Sequence, residues 1–140
     1  MMLFLDGSDI GQVVLGLLAD DRASFLVDPK TIVCRPEEYL FCVDAFLREN
    51  VSQEEISGIA VVVGPGSATA LRASLALANT FAFTRSIPMY GVQRNPSLDI
   101  LSVLSDLSDA PSVPLLRPVY ANAVPITQST KDVLRRTIIL

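Results

Sequence analysis

Two short stretches of the chain carry residues that could do chemistry. In the first, Asp6-Gly7-Ser8 follows the apolar run Met1-Met2-Leu3-Phe4-Leu5. A carboxylate at the end of a strand, beside a glycine and a hydroxyl, could hold Mg²⁺ through water or face a phosphate. It could equally be a turn in which the aspartate accepts from the amide of Ser8 or Asp9. Asp9 adds a second carboxylate, but no further acid is spaced to join it, so a two-carboxylate hydrolytic centre has no support. In the second stretch, the β-branched run Val61-Val62-Val63 enters Gly64-Pro65-Gly66-Ser67, and Ala68-Thr69-Ala70-Leu71-Arg72 leaves it. Gly64 and Gly66 can adopt backbone angles closed to other residues, Pro65 fixes the turn, and Ser67 suits a helix N-cap. Such a strand–turn–helix can offer backbone N–H groups to an anion, or it can be a tight packing hinge. It lacks the Lys-Ser/Thr ending of a P-loop and the spacing of a dinucleotide fingerprint. Arg72, one turn into the helix, could meet an acid of its own domain or of a partner.

Composition narrows the chemistry further. The chain has 140 residues, no histidine and two cysteines, Cys34 and Cys42. A histidine-based triad is excluded and a zinc site has no ligand set. The cysteines lie eight positions apart, which predicts two reduced thiols rather than a disulfide and fits a cytoplasmic protein. The net charge of −4 is uneven. Residues 1–60 hold 11 acids and 4 bases, whereas residues 61–140 hold 4 acids and 7 bases. That asymmetry suits electrostatic pairing with another protein. The basic residues lack interleaved aromatics, so direct nucleic-acid binding is not expected. The most apolar segment, Leu71 to Phe83, is broken by Arg72, Asn79 and Thr80 and is shorter than the roughly 20 residues of a membrane span. The opening run lacks a basic flank and a cleavage region, and reads as a strand rather than a signal peptide.

The elements that must position these residues follow from periodicity. Met2–Leu5, Gln12–Leu18 and Ala23–Val27 read as three successive strands with tight turns. Pro36 suits the first turn of a helix, with Glu37 and Glu38 beside its positive end. Tyr39, Leu40, Val43, Phe46 and Leu47 give that helix one apolar face, and Asn50 ends it. Ser52-Gln53-Glu54-Glu55 matches a capping box before a very short helix stopped by Gly58. Ile59–Val63 is a continuous apolar strand, expected where helices cover both faces of a sheet. The helix from Ser67 to about Arg85 is apolar nearly all round and rich in alanine, so it is buried by its own domain or by a partner. Ile87–Tyr90 is a further strand closed by Gly91. A third helix spans Leu98 to Leu107, capped by Ser97 or a neighbour. A last strand runs over Val113–Tyr120, and a short helix from Ser129 through Arg136. The order β-β-β-α-β-α-β-α predicts an α/β fold, with a mixed five-stranded sheet and helices on its faces.

The run Gly64 to Arg72, preceded by Ile59–Val63 and followed by Ile87-Pro88-Met89-Tyr90-Gly91-Val92, resembles the signature of the bacterial TsaB family. Asp6-Gly7-Ser8 is similar to that family's Asp-Thr-Ser turn, and Glu54–Gly58 also agrees. The match covers residues 2 to about 120, the extent of an N-terminal lobe. The chain is accordingly read as that lobe over 1–120, with 121–140 a C-terminal extension or the remnant of a second lobe, lost by truncation or natural shortening. The resemblance implies an actin-like/Hsp70/sugar-kinase fold, which is ribonuclease H-like. It implies a non-catalytic role in forming N6-threonylcarbamoyladenosine at position 37 of tRNA. It also implies pairing with a TsaD-type transferase, joined by a TsaE-type ATPase. ATP and Mg²⁺ would then be used by those partners and not by this chain. Homodimers, a degenerate paralogue and weak nucleotide binding are the alternatives.

Residue by residue, Gly64, Pro65, Gly66, Ser67, Thr69, Leu71 and Arg72 match the signature, and Asp6 and Ser8 match the first turn as a vestigial phosphate turn. Ala68 stands in place of phenylalanine, Ala70 in place of glycine, and Gly7 in place of threonine. Leu71, Arg72, Leu75, Ala78 and Ala82 of one helix, with Tyr39, Val43 and Phe46 of the other, are the candidate partner-interface residues. No residue is a candidate for catalysis or metal binding. A peptidase label used in this branch of the superfamily has no support in a chain without histidine or a metal-ligand cluster.

Overall fold

The computed structural model describes residues 1–120. The expectations for 121–140, including the short helix from Ser129, lie outside the described residues. Strands β1 (Met2–Asp6), β2 (Gln12–Leu18), β3 (Phe25–Val33), β4 (Gly58–Gly64) and β5 (Met89–Gln93) form one sheet. Helix α1 (Tyr39–Asn50) precedes β4, α2 (Ala68–Arg85) joins β4 to β5, and α3 (Val103–Asp109) follows β5. The sheet order is β3-β2-β1-β4-β5. β1 pairs antiparallel with β2 and parallel with β4, and β4 pairs parallel with β5. Parallel neighbours require a crossover, which α1 and α2 supply.

Alternation along the strands divides the core in two. Leu3, Leu5, Val13, Leu15, Ile59 and Val61 pack under α1 and α2. Met2, Phe4, Val14, Ala60, Val62 and Val92 face the other way, against Val103 and Leu107 of α3. β1 is buried along its whole length, as a central strand covered on both faces must be.

Several elements depart from the sequence reading. β3 begins later and runs to Val33, well past the expected end at Val27. Asp28-Pro29-Lys30 resembles a loop, but β3 is an edge strand, where proline and lysine are tolerated. The capping box at Ser52 is replaced by a contact one residue nearer. The Ser52 hydroxyl donates to the Glu54 carboxylate at 3.1 Å, and a 3₁₀ turn spans Gln53–Glu55. β5 passes through Gly91 and ends at Gln93. The third helix divides into a 3₁₀ turn at Ile100–Ser102 and α3, and its cap is Asp99, whose Oδ1 accepts from the Leu101 amide at 3.0 Å. The predicted strand over 113–120 does not form. Pro114 and Pro118 remove two of its donors, leaving one bridge between Met89 and Val113, a bond from the Leu116 amide to Asn79 Oδ1 at 2.9 Å and a bond from the Val119 amide to the Val63 carbonyl at 2.8 Å.

Candidate functional site

Because β1, β4 and β5 are parallel, their C-terminal ends meet at one edge of the sheet. There Asp6, the turn after Gly64, and Arg94 come together around an open cleft of about 540 Å³. Asp6 is only 2% exposed. Its Oδ1 accepts from the Ser8 amide at 3.0 Å and the Ser8 hydroxyl at 2.6 Å. Its Oδ2 accepts from Arg94 Nη1 at 2.7 Å. Asp6 therefore forms the capping turn that its sequence allowed, and a buried ion pair besides.

The two turns are pressed against each other. The Ser67 amide donates to the Ser8 carbonyl at 2.8 Å. A Cβ at Gly66 would collide with the Ser8 backbone, and one at Gly7 with Ser74 of α2. Ser74 is fully buried, which accounts for glycine at a position where the family signature carries threonine. Gly64 has φ +139°, a conformation that L side chains rarely adopt, and Val119 packs where a side chain would stand. The Gly64–Pro65 bond is cis. Ser67 caps α2 as its residue type predicts, its hydroxyl accepting from the Ala70 amide at 3.3 Å. Thr69 is exposed, and the exposed Arg72 bonds the Ala68 carbonyl through Nε at 3.3 Å.

Arg94 was absent from the sequence reading. Its amide bonds the Gly64 carbonyl at 2.9 Å, which carries the β4–β5 pairing past the strand end. No local motif marks it: the strand register sets Asp6 level with Val92, and Arg94, just past the end of β5, reaches back to Asp6 with its side chain. Among the described residues, no three His, Cys, Asp or Glu side chains are grouped to hold a metal ion.

The candidate interface needs correction. Leu71, Leu75, Ala78 and Ala82 of α2 and Tyr39, Val43 and Phe46 of α1 are at most 4% exposed and belong to the core of this chain. Only Arg72 of that set is exposed. The sheet takes the alanine-and-leucine face of α2, and another face remains open. There Leu40 of α1, with Ala76, Leu77, Thr80, Phe81 and Thr84 of α2, lines a groove of about 490 Å³. Leu40 is 66% exposed, and Arg85 at the groove's end stacks on the Phe81 ring at 4.8 Å.

The two cysteines, Cys34 just after β3 and Cys42 on α1, are reduced and buried. Burial, then the Cys42 contact, push the Cys34 thiol up to about 12. Burial likewise raises Tyr39 to about 12, and its hydroxyl donates to the carbonyls of Asp9 at 3.1 Å and Gln12 at 3.3 Å. Both groups hold their protons more tightly when folded than when unfolded. Their contribution is therefore complete below about pH 9, where the unfolded thiol begins to ionise, and is lost as pH rises towards about 12. The melting temperature should fall over that window. At pH 8 iodoacetamide should alkylate neither cysteine of the folded chain and both in denaturant; rapid labelling of the folded chain would contradict the burial.

Among the described residues no helix is long and apolar enough to cross a membrane. No curated protein matches the chain. Two solved structures share its fold, titled "YeaZ from Pseudomonas aeruginosa" and "Crystal structure of an uncharacterized protein with similarity to peptidase YEAZ from Pseudomonas aeruginosa". Each is 24% identical with a TM-score of 0.54, over 66% of this chain and 44% of that one. The chain thus spans less than half the length of those relatives. Its mixed five-stranded sheet with helices on its faces has the ribonuclease H-like fold of those structures, as the resemblance around Gly64 implies. Residues 37–116, more than half of the chain, match the family described as "TsaD: tRNA N6-adenosine threonylcarbamoyltransferase". With α1, β4, the Gly64–Ser67 turn, α2 and β5 all inside that match, the chain belongs to the TsaD family.

Proposed function

We propose that the chain is a non-catalytic subunit in the formation of N6-threonylcarbamoyladenosine on tRNA, acting in the cytoplasm and pairing with a TsaD-type transferase. Membership of the threonylcarbamoyltransferase family supports the pathway. The observation that carries the pairing is the groove between α1 and α2. Leu40, Leu77 and Phe81 there offer apolar surface to a partner helix, with polar threonines at the margin. An exposed apolar patch bounded by polar groups is characteristic of an interaction site. ATP and Mg²⁺ are then used by the transferase and by a TsaE-type ATPase that joins the pair. This chain contributes surface.

The experiment is to mix the chain with the transferase of its own organism and follow mass by light scattering, with and without nucleotide and the ATPase. A one-to-one complex at micromolar concentration is expected. Two outcomes contradict the reading: no association under any of these conditions, or a dimer of this chain that the transferase does not open. The second would assign the groove to another copy of the same chain.

A further inference from the structure

The cleft invites a magnesium nucleotide, since a fold of this kind and an aspartate-glycine-hydroxyl turn together suggest one. The residues present do not fit it. Of the two acids lining the cleft, Asp9 is exposed, with Oδ1 taken by the Gly11 amide at 3.0 Å. Asp6 is the one buried acid among the described residues, and its oxygens already take three hydrogen bonds. A carboxylate offers about four acceptor positions, so one remains, on the oxygen that holds Arg94. Mg²⁺ needs near-ideal octahedral oxygen geometry and keeps several waters, which a guanidinium at 2.7 Å from Oδ2 displaces. The guanidinium is also a fixed positive charge, one quarter exposed, at the place where a dication would sit. The facing half of such a site is filled as well. The Ser67 amide, first donor of the turn before α2, is used by the Ser8 carbonyl, and Gly66 lies directly on the Ser8 backbone.

We propose that Arg94 is the resident counter-cation of Asp6 and excludes divalent cations from this cleft. Arg94 is fixed for the task at two points. Its backbone amide is tied to Gly64, and its side chain to Asp6. The pair joins the end of β1 to the end of β5 across β4, so the same contact that blocks the metal also closes this edge of the sheet. The inference concerns the cleft and not the α1–α2 groove. Its test needs no partner protein, and either proposal can fail alone.

The test is uptake of Mn²⁺, a paramagnetic stand-in for Mg²⁺, followed by electron paramagnetic resonance on the folded chain. Wild type should leave the ion free up to about 1 mM, a weak limit for an oxygen site. Arg94→Gln, which keeps polar atoms near Asp6 but drops the charge, should bind one Mn²⁺ at least about tenfold more tightly, since a tenfold change is an ordinary single-charge effect. The double variant Asp6→Asn/Arg94→Gln should return to the wild-type curve. Wild-type binding that disappears in Asp6→Asn overturns the proposal, and so does a folded Arg94→Gln that gains nothing. Should Arg94→Gln fail to fold, Arg94→Lys keeps a charge beside Asp6 and must stay as Mn²⁺-free as wild type. Binding by that variant or by wild type is contrary to the proposal.

Discussion

Leu75→Arg should leave the chain unfolded at room temperature. Leu75 lies on the core face of α2 at 3% exposure, packed among residues of α1 and the sheet. Removing the leucine contacts costs about 2–5 kcal/mol. Holding an unpaired guanidinium in their place costs several more. The total approaches the about 5–15 kcal/mol that a domain has in hand. Circular dichroism and a denaturant titration would show no cooperative transition. Leu77→Arg, two residues along, should behave oppositely, because Leu77 is half-buried and lines the open groove. Its stability should change by about 1 kcal/mol or less. If both variants fold equally well, the assignment of α2 faces is wrong.

Asp6→Ala should be the second large loss. The carboxylate is almost wholly buried and accepts from Arg94, from the Ser8 hydroxyl and from the Ser8 amide. Removing one partner of a buried pair costs about 3–5 kcal/mol, chiefly because the other charge is left without compensation. The Arg94 Nε has no hydrogen-bond partner, so without Asp6 only solvent at the cleft, where the side chain is one quarter exposed, remains to compensate the guanidinium. Pairing Asp6→Ala with Arg94→Met should recover part of the loss, since the uncompensated charge is then gone too. A denaturant series on the single and double variants reads the coupling. Purely additive losses would show that the ion pair contributes nothing, despite its 2.7 Å contact.

Much of the fold was legible where local and tertiary signals agree. The strand–turn–helix from Ile59 to Arg85 was readable because β-branched residues, two glycines, a proline and a capping serine all specify the same path. α1 was readable from its apolar spacing, although Pro36 opens a 3₁₀ turn over Pro36–Glu38 and the α-helix itself begins at Tyr39. β3 and the segment after α3 were not, for opposite reasons. Pro29 and Lys30 look like a break but sit on an edge that tolerates them, whereas the apolar residues of 113–119 look like a strand but carry prolines.

The site was half legible. Asp6 and the Gly64–Ser67 turn announced themselves by residue type, but Arg94 follows an exposed Gln93 and has no motif of its own. It matters only because three parallel strands end together. The interface was misread for a related reason. A helix apolar on every side does not say which face the sheet takes, so Leu75 and Leu77 look equivalent until α2 is laid on β4. Alanines at 78 and 82 set that orientation, by letting the helix approach closely enough to bury them.

The α1–α2 groove is proposed to receive the transferase. The most direct measurement is a calorimetric titration of that transferase with wild type and with Leu77→Arg, after circular dichroism has shown both chains folded. A micromolar or tighter complex is expected for wild type and a loss of about 2 kcal/mol or more for the variant, roughly thirtyfold in affinity. Equal affinity for the two chains, or no heat of binding with wild type, would contradict it.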